Sequence, residues 1–369
     1  MKVLDFMNAY DNWEELLAAE PYNIVIKWDG DYVLLKYNQF NSDFSNPIVR
    51  ECRGSIFRWN GYEWICVCHP FDKFGNYGES YVPELDWKTV RVTEKIDGSL
   101  IKLWYDCGEW HVSTNGTIDA FKAYVGQEKT DNTLTFGELF KCAVGNRYWN
   151  EFLDDLCIHK TYMFELTSSY TQIVIPYDLG VYYLACRDNT TDKEDFRCYY
   201  AFSSPHIEYP EVMKLRTLED CIAAVAKFDK NHEGLVAVDG NGNRVKIKGE
   251  EYLAAARIRN NGVVTTRRIV NMVKNEQLDD FLAYCPQYKE RVDKVLETMR
   301  SIAMFYEIEY ARAVAACLLR HEIAKSNIIS KDAKDYCFRV IDGKATNGWE
   351  YLLSLFTCKI VELVEENNE

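Results

Sequence analysis

Lys95 lies in the segment 94–100, which reads EKIDGSL and follows a β-branched run. An amine with an ordinary pKa of ~10.4 is protonated at neutral pH, so a nucleophilic lysine needs burial or neighbouring cations that lower its pKa. Two downstream segments, 233–236 (EGLV) and 246–248 (KIK), are the candidates to complete such a site. The alternative interpretation is structural: a strand that ends in a hairpin turn at Asp97-Gly98 and carries an exposed lysine.

Lys246 and Lys248 alternate with Val245 and Ile247. On one strand this spacing directs both ammonium groups to one face and both aliphatic side chains to the core. Like charges side by side repel each other, so the pair indicates an anion such as a phosphate between them. The alternative is an exposed edge strand that lysines protect from pairing.

Glu165 and Glu233 both stand in apolar surroundings, the first between Phe164 and Leu166 and the second before an apolar run. Carboxylates are seldom left in such places without a partner or a metal. The pattern therefore favours a metal-binding or ribose-binding role for both residues. An ordinary buried salt bridge is the alternative.

Short β-rich runs separated by turn signals must position these side chains. The pattern predicts helices at 1–20, 133–159 and 217–228. It predicts a hairpin at 24–37 and a hairpin turn at Asn115-Gly116. The other predicted strands are 49–58, 64–68, 90–95, 100–105, 110–114, 162–166, 173–175 and 181–186, with a last strand pair at 235–238 and 244–247.

Beyond residue 250 the alternation fades and helical patterns take over. Apolar residues recur at steps of three and four between Val292 and Tyr306, and again between Trp349 and Val364. We therefore predict two domains, 1–254 and an all-helical 255–369.

The 369 residues carry a net charge of −14, which argues against a protein that coats polyanions but still allows cations gathered in one cleft. No run approaches the ~20 apolar residues of a membrane span, and the first 20 residues lack the features of an export signal. The 13 cysteines are scattered, as in a reducing cytosol, and indicate no structural zinc site. We expect a cytoplasmic protein without a membrane partner.

Five segments in order, ECRGSIF, KIDGSL, MFELTSSYTQIV, EGLVAV and VKIKGEEY, cover most of the first domain. Together they resemble the motifs of the bacteriophage RNA ligase 1 family, of the phage T4 RNA ligase 1 type, within the covalent nucleotidyltransferases. The family fold implied is α+β: antiparallel sheets with flanking helices that enclose a nucleotide, followed here by an all-helical C-terminal domain.

The resemblance implies that Lys95 attacks the α-phosphate of ATP, expels pyrophosphate and becomes lysyl-AMP. Glu165 would bind the ribose hydroxyls. Glu233 would bind a hydrated divalent metal, Mg²⁺ or alternatively Mn²⁺, and Asp97 would hold a water bound to that metal. The metal and two neighbouring ammonium groups would lower the pKa of Lys95, by ~2–3 units.

The other implied residues contact phosphates or the nucleotide. Lys246 and Lys248 would grip the α-phosphate, Arg53 and Lys73 would steer the β- and γ-phosphates, and Tyr37 would lie near the nucleotide. Lysines and Mg²⁺ suit phosphoryl transfer, which depends on alignment and charge neutralisation more than on proton chemistry.

Two positions depart from the family pattern. The family usually reads KFFN where this chain has Lys73-Phe74-Gly75-Asn76, so an aromatic is missing at Gly75. It also usually carries a basic residue where Asn115 stands, and an amide can donate a hydrogen bond but brings no charge. Both departures concern how the triphosphate is held.

The implied activity is that of an ATP-dependent RNA ligase, a monomer in the host cytoplasm, that joins RNA 5′-phosphate and 3′-hydroxyl ends in RNA repair. The helical domain would recognise a cleaved tRNA anticodon loop, with candidate backbone contacts at Lys289, Arg291, Arg267 and Arg268; a solvated helical face is the alternative for each. The alternative functions are a DNA ligase or mRNA-capping guanylyltransferase, and a catalytically inactive RNA-binding relative. The two enzymes usually carry a basic residue at the position of Leu100 and append a β-barrel.

Overall fold

The structure is a computed structural model that describes residues 1–38, 41–125, 134–170, 175, 177–195, 202–229, 231–249, 264–274, 278, 281–282, 288–345 and 347–367. The chain forms two compact units. The first comprises Met1–Ala123 and Thr135–Asn260, and the second comprises Tyr124–Leu134 and Asn261–Glu369. The boundary predicted at 254–255 lies outside the described residues.

The strands of the described residues all belong to the first unit. They are β1 (Ile24–Asp29), β2 (Tyr32–Tyr37), β3 (Arg53–Trp59), β4 (Trp64–Cys68), β5 (Arg91–Glu94), β6 (Ser99–Asp106), β7 (Glu109–Thr114), β8 (Lys160–Thr167), β9 (Gly180–Asp188), β10 (Glu194–Asp195), β11 (Ile207–Glu208), β12 (Val212–Met213), β13 (Gly234–Val238) and β14 (Arg244–Lys248).

These strands form three sheets. The first sheet has the order β1-β2-β3-β4, the second β10-β9-β8-β6-β7 with β11 beside β9, and the third β12-β5-β13-β14. Among the named strands of the described residues only β11 and β9 pair in parallel. The predicted α+β fold of antiparallel sheets is therefore confirmed.

Helices flank the sheets of the first unit and make up the described elements of the second. The first unit contains α1 (Lys2–Ala9), α2 (Trp13–Ala18), α3 (Pro47–Glu51), α4 (Phe136–Val144), α5 (Trp149–Asp154) and α6 (Leu218–Val225). The second contains α7 (Thr266–Lys274), α8 (Lys289–Ala315), α9 (Arg320–Lys325), α10 (Lys334–Ile341), α11 (Gly348–Ser354) and α12 (Thr357–Glu366). The predicted helical C-terminal region is confirmed. Within the described residues no helix is long and apolar enough to cross a membrane.

The two central strands of the first sheet, β2 and β3, are buried on both faces, which explains their nearly continuous apolar runs. Val33 and Leu35 belong to a core shared with α1 and α2. Leu34 and Ile56 point the other way and share a core with Trp104 of β6. The alternation along β2 thus packs the helices on one side of the first sheet and the second sheet on the other.

Several local predictions differ from the structure. The hairpin of β6 and β7 turns at Cys107-Gly108, where both residues have positive φ (+49° and +92°). The chain also turns at Asn115-Gly116, where the N–H of Thr114 donates to the carbonyl of Thr117 at 3.0 Å, but among the described strands none follows there to complete the predicted hairpin. The segment 49–51 is helical, and the helical pattern at 349–364 falls on two helices, α11 and α12. Most of the strand predicted at 173–175 lies outside the described residues.

Candidate active site

Lys95 lies on a crossover between two sheets. Residues 95–98 connect β5 of the third sheet to β6 of the second sheet, so the hairpin considered at Asp97-Gly98 is wrong. The backbone N–H of Lys95 donates to the carbonyl of Gly234 at 2.9 Å, which extends the pairing of β5 with β13 by one residue. The nucleophile candidate is therefore fixed at its backbone by the segment that follows Glu233.

Gly98 lets this crossover pass close to β8. A Cβ at this position would lie 2.5 Å from the carbonyl oxygen of Leu166, which is backbone and has little freedom to move. The Gly98 N–H donates to Glu165 Oε1 at 3.2 Å. The close approach brings the carboxylate of β8 to the crossover that carries Lys95.

Glu233 bridges two lysines. Its Oε2 lies 2.7 Å from Lys95 Nζ, and its Oε1 lies 2.5 Å from Lys248 Nζ. The side chains of Glu233 and Lys248 are 2% and 4% exposed, and that of Lys95 is 15% exposed. The buried salt bridge considered for Glu233 is present, and it joins Lys95 to the strand of paired lysines.

The pairing of β13 explains this convergence. In the third sheet β13 lies between β5 and β14, with Leu235 opposite Glu94 and Gly234 opposite Lys248. The residue that precedes β13 therefore falls between the end of β5 and the end of β14. Three segments far apart in sequence meet there because β13 pairs with both neighbours.

The alternation of β14 is as predicted, but its lysines are buried. Val245 and Ile247 are 3% exposed and belong to the core of the third sheet. Lys246 is 7% exposed, and its backbone pairs with residues 75–77 on the open side of β14. The interpretation as an edge strand protected by exposed lysines is therefore wrong.

The ring of Phe74 lies among three cations. Lys246 Nζ is 4.9 Å from its centroid, and the guanidinium carbons of Arg53 and Arg244 are 5.1 and 5.4 Å away. Arg53 Nη1 is buried and has no hydrogen-bond partner among the described residues. The structure thus brings Arg53 and Lys246 to one ring and leaves a guanidinium donor available to an anionic ligand.

Lys73 also lies against aromatic rings. Its Nζ is 5.0 Å from the ring centroid of Tyr37 and 4.9 Å from that of Phe44. The backbone N–H of Lys73 donates to the carbonyl of Arg50 at 2.8 Å. The structure brings Tyr37 and Lys73 together, and their roles at a nucleotide stay a prediction.

The carboxyl of Glu165 lies near most of the charged groups of the site. Burial is the largest cause of the rise in its pKa to about 7. The positive charges of Lys95 and Arg53 oppose this rise, whereas Glu233 and Asp97 add to it. All four groups are near enough to act on one carboxyl, so the predicted site residues of β3, β8, the crossover and Glu233 converge.

Two acids are candidates to hold a divalent metal. Asp97 is 2% exposed and its Oδ2 accepts from the N–H of Ile175 at 3.1 Å, whereas both oxygens of Glu233 contact ammonium groups. In the described part of the chain no three His, Cys, Asp or Glu residues cluster as a metal site. Mg²⁺ commonly uses one or two carboxylates together with water and substrate phosphates, so the residues present fit such an ion. The metal role stays a prediction.

Aromatic residues around the phosphate-binding candidates escaped the sequence analysis. Phe74 and Phe44 contact the cations, and Tyr81 lies 5.6 Å from Phe44. A Cβ on Gly75 would lie 2.5 Å from Glu79 Oε2 and 2.9 Å from Tyr81 Cζ. The segment that follows therefore occupies the space that a side chain at position 75 would need. The only sequence signal was the aromatic next to Lys73.

The glutamate of the ECRG segment has a structural role. Glu51 is 9% exposed, and its oxygens accept from the N–H groups of Lys2 and Val3 at 3.1 and 2.8 Å. A carboxylate there satisfies unpaired N–H groups at the start of α1. It anchors the segment that leads into Arg53.

The second unit contains the four basic residues with implied RNA contacts. Arg291 donates to the carbonyl of Val264, and Arg268 lies 6.0 Å from the centroid of an aromatic ring of the same unit. Arg267 and Lys289 have exposed side chains. The RNA contacts stay a prediction.

Comparison with known proteins gives a family match. A family model described as RNA ligase, of the T4 RNA ligase 1 type, matches residues 51–252, more than half of the chain. This range contains Arg53, Lys73, Lys95, Glu165, Glu233, Lys246 and Lys248.

Two curated relatives are similar to this chain. A protein of Autographa californica nuclear polyhedrosis virus, described as a bifunctional polynucleotide kinase/RNA ligase, is 34% identical over 73% of this chain and 40% of its own length. This chain thus spans less than half of that relative. An RNA ligase of Rhodothermus phage RM378 is 26% identical over 80% of this chain and 79% of its own length.

Among solved structures, an archaeal ATP-dependent RNA ligase matches 76% of this chain and 74% of its own, with 13% identity and a TM-score of 0.43. The family match spans the residues that converge around Lys95 and Glu233. The chain therefore belongs to the RNA ligase family of the T4 RNA ligase 1 type.

Proposed function

We propose that this protein is an ATP-dependent RNA ligase that joins RNA 5′-phosphate and 3′-hydroxyl ends. The observation that carries the proposal is the ion pair of Lys95 with Glu233. The same carboxylate also contacts Lys248, and all three residues lie within the range of the family match. A buried acid between two lysines, at a crossover fixed by three strands, is a costly arrangement that a purely structural role does not require.

In the first step the amine of Lys95 forms a bond to the α-phosphorus of ATP, and the bond from that phosphorus to pyrophosphate breaks. The RNA 5′-phosphate then takes the AMP from the lysine, which regenerates the amine. In the third step the RNA 3′-hydroxyl attacks the activated 5′-phosphate and releases AMP. Each step exchanges one bond at phosphorus for another.

The ion pair with Glu233 holds Lys95 in place but stabilises its protonated form, which is not nucleophilic. Cations that accompany the nucleotide must therefore compete for Glu233 before attack. Lys248 already contacts the other oxygen of this carboxylate. A divalent cation held by Glu233 and Asp97 would neutralise charge on the phosphate oxygens.

The remaining side chains would bind and align the nucleotide. Lys246 and Arg53, whose charged groups lie 4.9 and 5.1 Å from the ring centroid of Phe74, would contact the phosphates, with Arg53 and Lys73 toward the leaving pyrophosphate. Glu165, whose carboxyl lies at the crossover, would accept hydrogen bonds from the ribose hydroxyls. Positioned cations stabilise the charge that develops during phosphoryl transfer.

The decisive experiment is to incubate the protein with ATP and Mg²⁺ and to measure its mass. An active enzyme gains the mass of AMP at Lys95, and the Lys95→Ala variant gains none. Label transfer from GTP but not from ATP would favour a capping guanylyltransferase instead. A wild-type protein that gains no mass from either nucleotide would favour an inactive RNA-binding relative.

We propose RNA repair, with a cleaved tRNA anticodon loop as a candidate substrate of the monomer in the host cytoplasm. Ligation of single-stranded RNA, a nicked duplex and a cleaved anticodon stem-loop, each with a 5′-phosphate, tests this proposal. Preference for the nicked duplex would contradict it, and Mg²⁺ and Mn²⁺ can be compared in the same assay.

A further inference from the structure

We propose that Lys102 is a positioning residue for the phosphate-binding edge of this site, by which we mean Arg53, Gly54 and Asn115. We propose also that its charge replaces the basic side chain that the family usually carries at position 115. The inference rests on the proposed function. It concerns a residue outside the five family-like segments, on the strand that follows Lys95.

Lys102 is fully buried between two sheets. It lies on β6, opposite Ser113 of β7 and Met163 of β8, and its side chain is 0% exposed. Its Nζ donates to the carbonyl of Gly54 on β3. The ammonium group therefore reaches from the second sheet to the first, at the residue next to Arg53.

The ammonium lies at the backbone of Asn115. A Cβ on Gly54 would lie 2.6 Å from the carbonyl oxygen of Asn115 and 2.9 Å from Lys102 Nζ. Gly54 thus has no room for a side chain, because the turn after β7 and the lysine meet there. The charge absent from the side chain at 115 is present a few ångströms away, on another strand.

Two polar groups at this junction suggest a ligand. Arg53 Nη1 and Asn115 Oδ1 are buried and have no hydrogen-bond partner among the described residues. The guanidinium of Arg53 and the buried ammonium of Lys102 are cations that suit the oxygens of a triphosphate. The amide oxygen of Asn115 is an acceptor, so it would take a donor of the ligand or a water and not a phosphate oxygen.

A mere link between two sheets does not require a charge. Removing an ammonium from water costs several kcal/mol, and an uncharged donor would satisfy the carbonyl of Gly54. A buried charge instead acts strongly on nearby anions, because the surrounding dielectric is low. Lys102 therefore positions Arg53 through Gly54 and adds its field to the same ligand.

The test compares Lys102→Gln, which keeps a donor but removes the charge, with Lys102→Met, which removes both. The readout is the single-turnover rate of AMP transfer to Lys95 as a function of ATP concentration, with thermal unfolding as a check. We expect the half-saturating ATP concentration of Lys102→Gln to rise at least ~10-fold, with a smaller change in the maximal rate. Lys122→Met, on a side chain that is 64% exposed, removes the same charge and should match the wild type.

Relocating the charge provides the second test. In the Lys102→Gln background, Asn115→Lys should recover most of the lost ATP affinity, and this gain should exceed any gain that the same change produces in the wild type. Wild-type ATP dependence of Lys102→Gln would overturn the inference, and so would a folded double variant as impaired as the single one. If Lys102→Gln does not fold, the double variant is compared with the wild type instead. An ATP dependence close to that of the wild type supports the inference, and a half-saturating ATP concentration at least ~10-fold higher, or failure to fold, overturns it. Absence of AMP transfer in the wild type would instead refute the proposed function.

Discussion

Lys95 Nζ lies 2.7 Å from Glu233 Oε2, so the residue expected to attack phosphorus is held by a carboxylate. Lys248 contacts the second oxygen of that carboxylate at 2.5 Å. One acid therefore fixes the proposed nucleophile and a lysine proposed to bind phosphate relative to each other. This arrangement couples the stability of the third sheet to the chemistry of the site.

Glu233→Gln should strongly destabilise the first unit. The change leaves the ammonium groups of Lys95 and Lys248 without their shared partner in a buried place, at an expected cost of ~3–5 kcal/mol in the free energy of unfolding. Urea denaturation measures it. Asp29→Asn, which breaks an exposed pair with Lys122, should cost less than ~1 kcal/mol. Equal losses in the free energy of unfolding for the two variants would show that the buried ion pairs of Glu233 stabilise the fold no more than an exposed pair does.

Phe74→Leu should weaken ATP binding with little loss of stability. The substitution keeps an apolar side chain but removes the ring face that contacts Lys246 and Arg53, and an aliphatic group cannot supply such a contact. Cation–π contacts of ~0.7–2 kcal/mol correspond to a ~3- to 30-fold rise in the half-saturating ATP concentration for AMP transfer. Phe121→Leu, on a ring that is 41% exposed, is the control. Identical ATP dependence of both variants would refute this role of Phe74.

Glu165→Gln should change how stability depends on pH. Burial raises the folded-state pKa of Glu165 from 4.5 to about 7, so between these pH values the folded state binds more protons than the unfolded state. The wild type should therefore lose stability as pH rises from ~4.5 to ~7 and level off above that range.

The Gln variant lacks this titration. Its stability relative to the wild type should improve with rising pH, by on the order of 1–3 kcal/mol between pH 5 and 8. Thermal or urea unfolding of both proteins across this range measures the difference. A difference that stays constant with pH would contradict the raised pKa of Glu165.

Local patterns predicted much of the fold and the main site residues. The alternation of Val245 and Ile247 with Lys246 and Lys248 placed the aliphatic residues in the core, as the structure confirms. Periodicity works here because it depends only on neighbouring residues of one strand. Lys246 is covered instead by residues 75–77, which pair with it on the open side of β14, and no local pattern contains this pairing.

Turn signals were less reliable, for a physical reason. Asp97-Gly98 has the composition of a hairpin turn, but Gly98 is required because a Cβ would meet the carbonyl of Leu166, not because a tight turn needs it. Cys107-Gly108, a weaker signal, forms the actual hairpin. Composition alone cannot distinguish a glycine that is required for its backbone dihedral angles from a glycine that is required because a neighbouring atom leaves no room for a Cβ.

Gly98→Ala should therefore disturb both the fold and the chemistry. The added methyl group would lie 2.5 Å from a backbone oxygen of β8, so the crossover must shift and carry Lys95 with it. We expect a loss of ~1–3 kcal/mol in the free energy of unfolding and a large drop in AMP transfer. Gly240→Ala is the control, because the three atoms nearest to its Cβ would be side-chain atoms of Thr89 at 3.2 to 3.6 Å. Full AMP transfer by Gly98→Ala would contradict this account.

Gly75→Phe, which restores the usual family residue, should destabilise this chain. Its Cβ would lie 2.5 Å from Glu79 Oε2, 2.6 Å from Val82 Cγ2 and 2.9 Å from Tyr81 Cζ, so we expect a cost of ~1–3 kcal/mol. If Tyr81 occupies the place of the missing aromatic, Tyr81→Ala should relieve part of this strain. The double variant should then be more stable than the sum of the two single changes predicts, by at least ~0.5 kcal/mol in a double-mutant cycle measured by urea unfolding. Strict additivity would show that positions 75 and 81 are independent, so that Tyr81 does not explain the glycine at position 75.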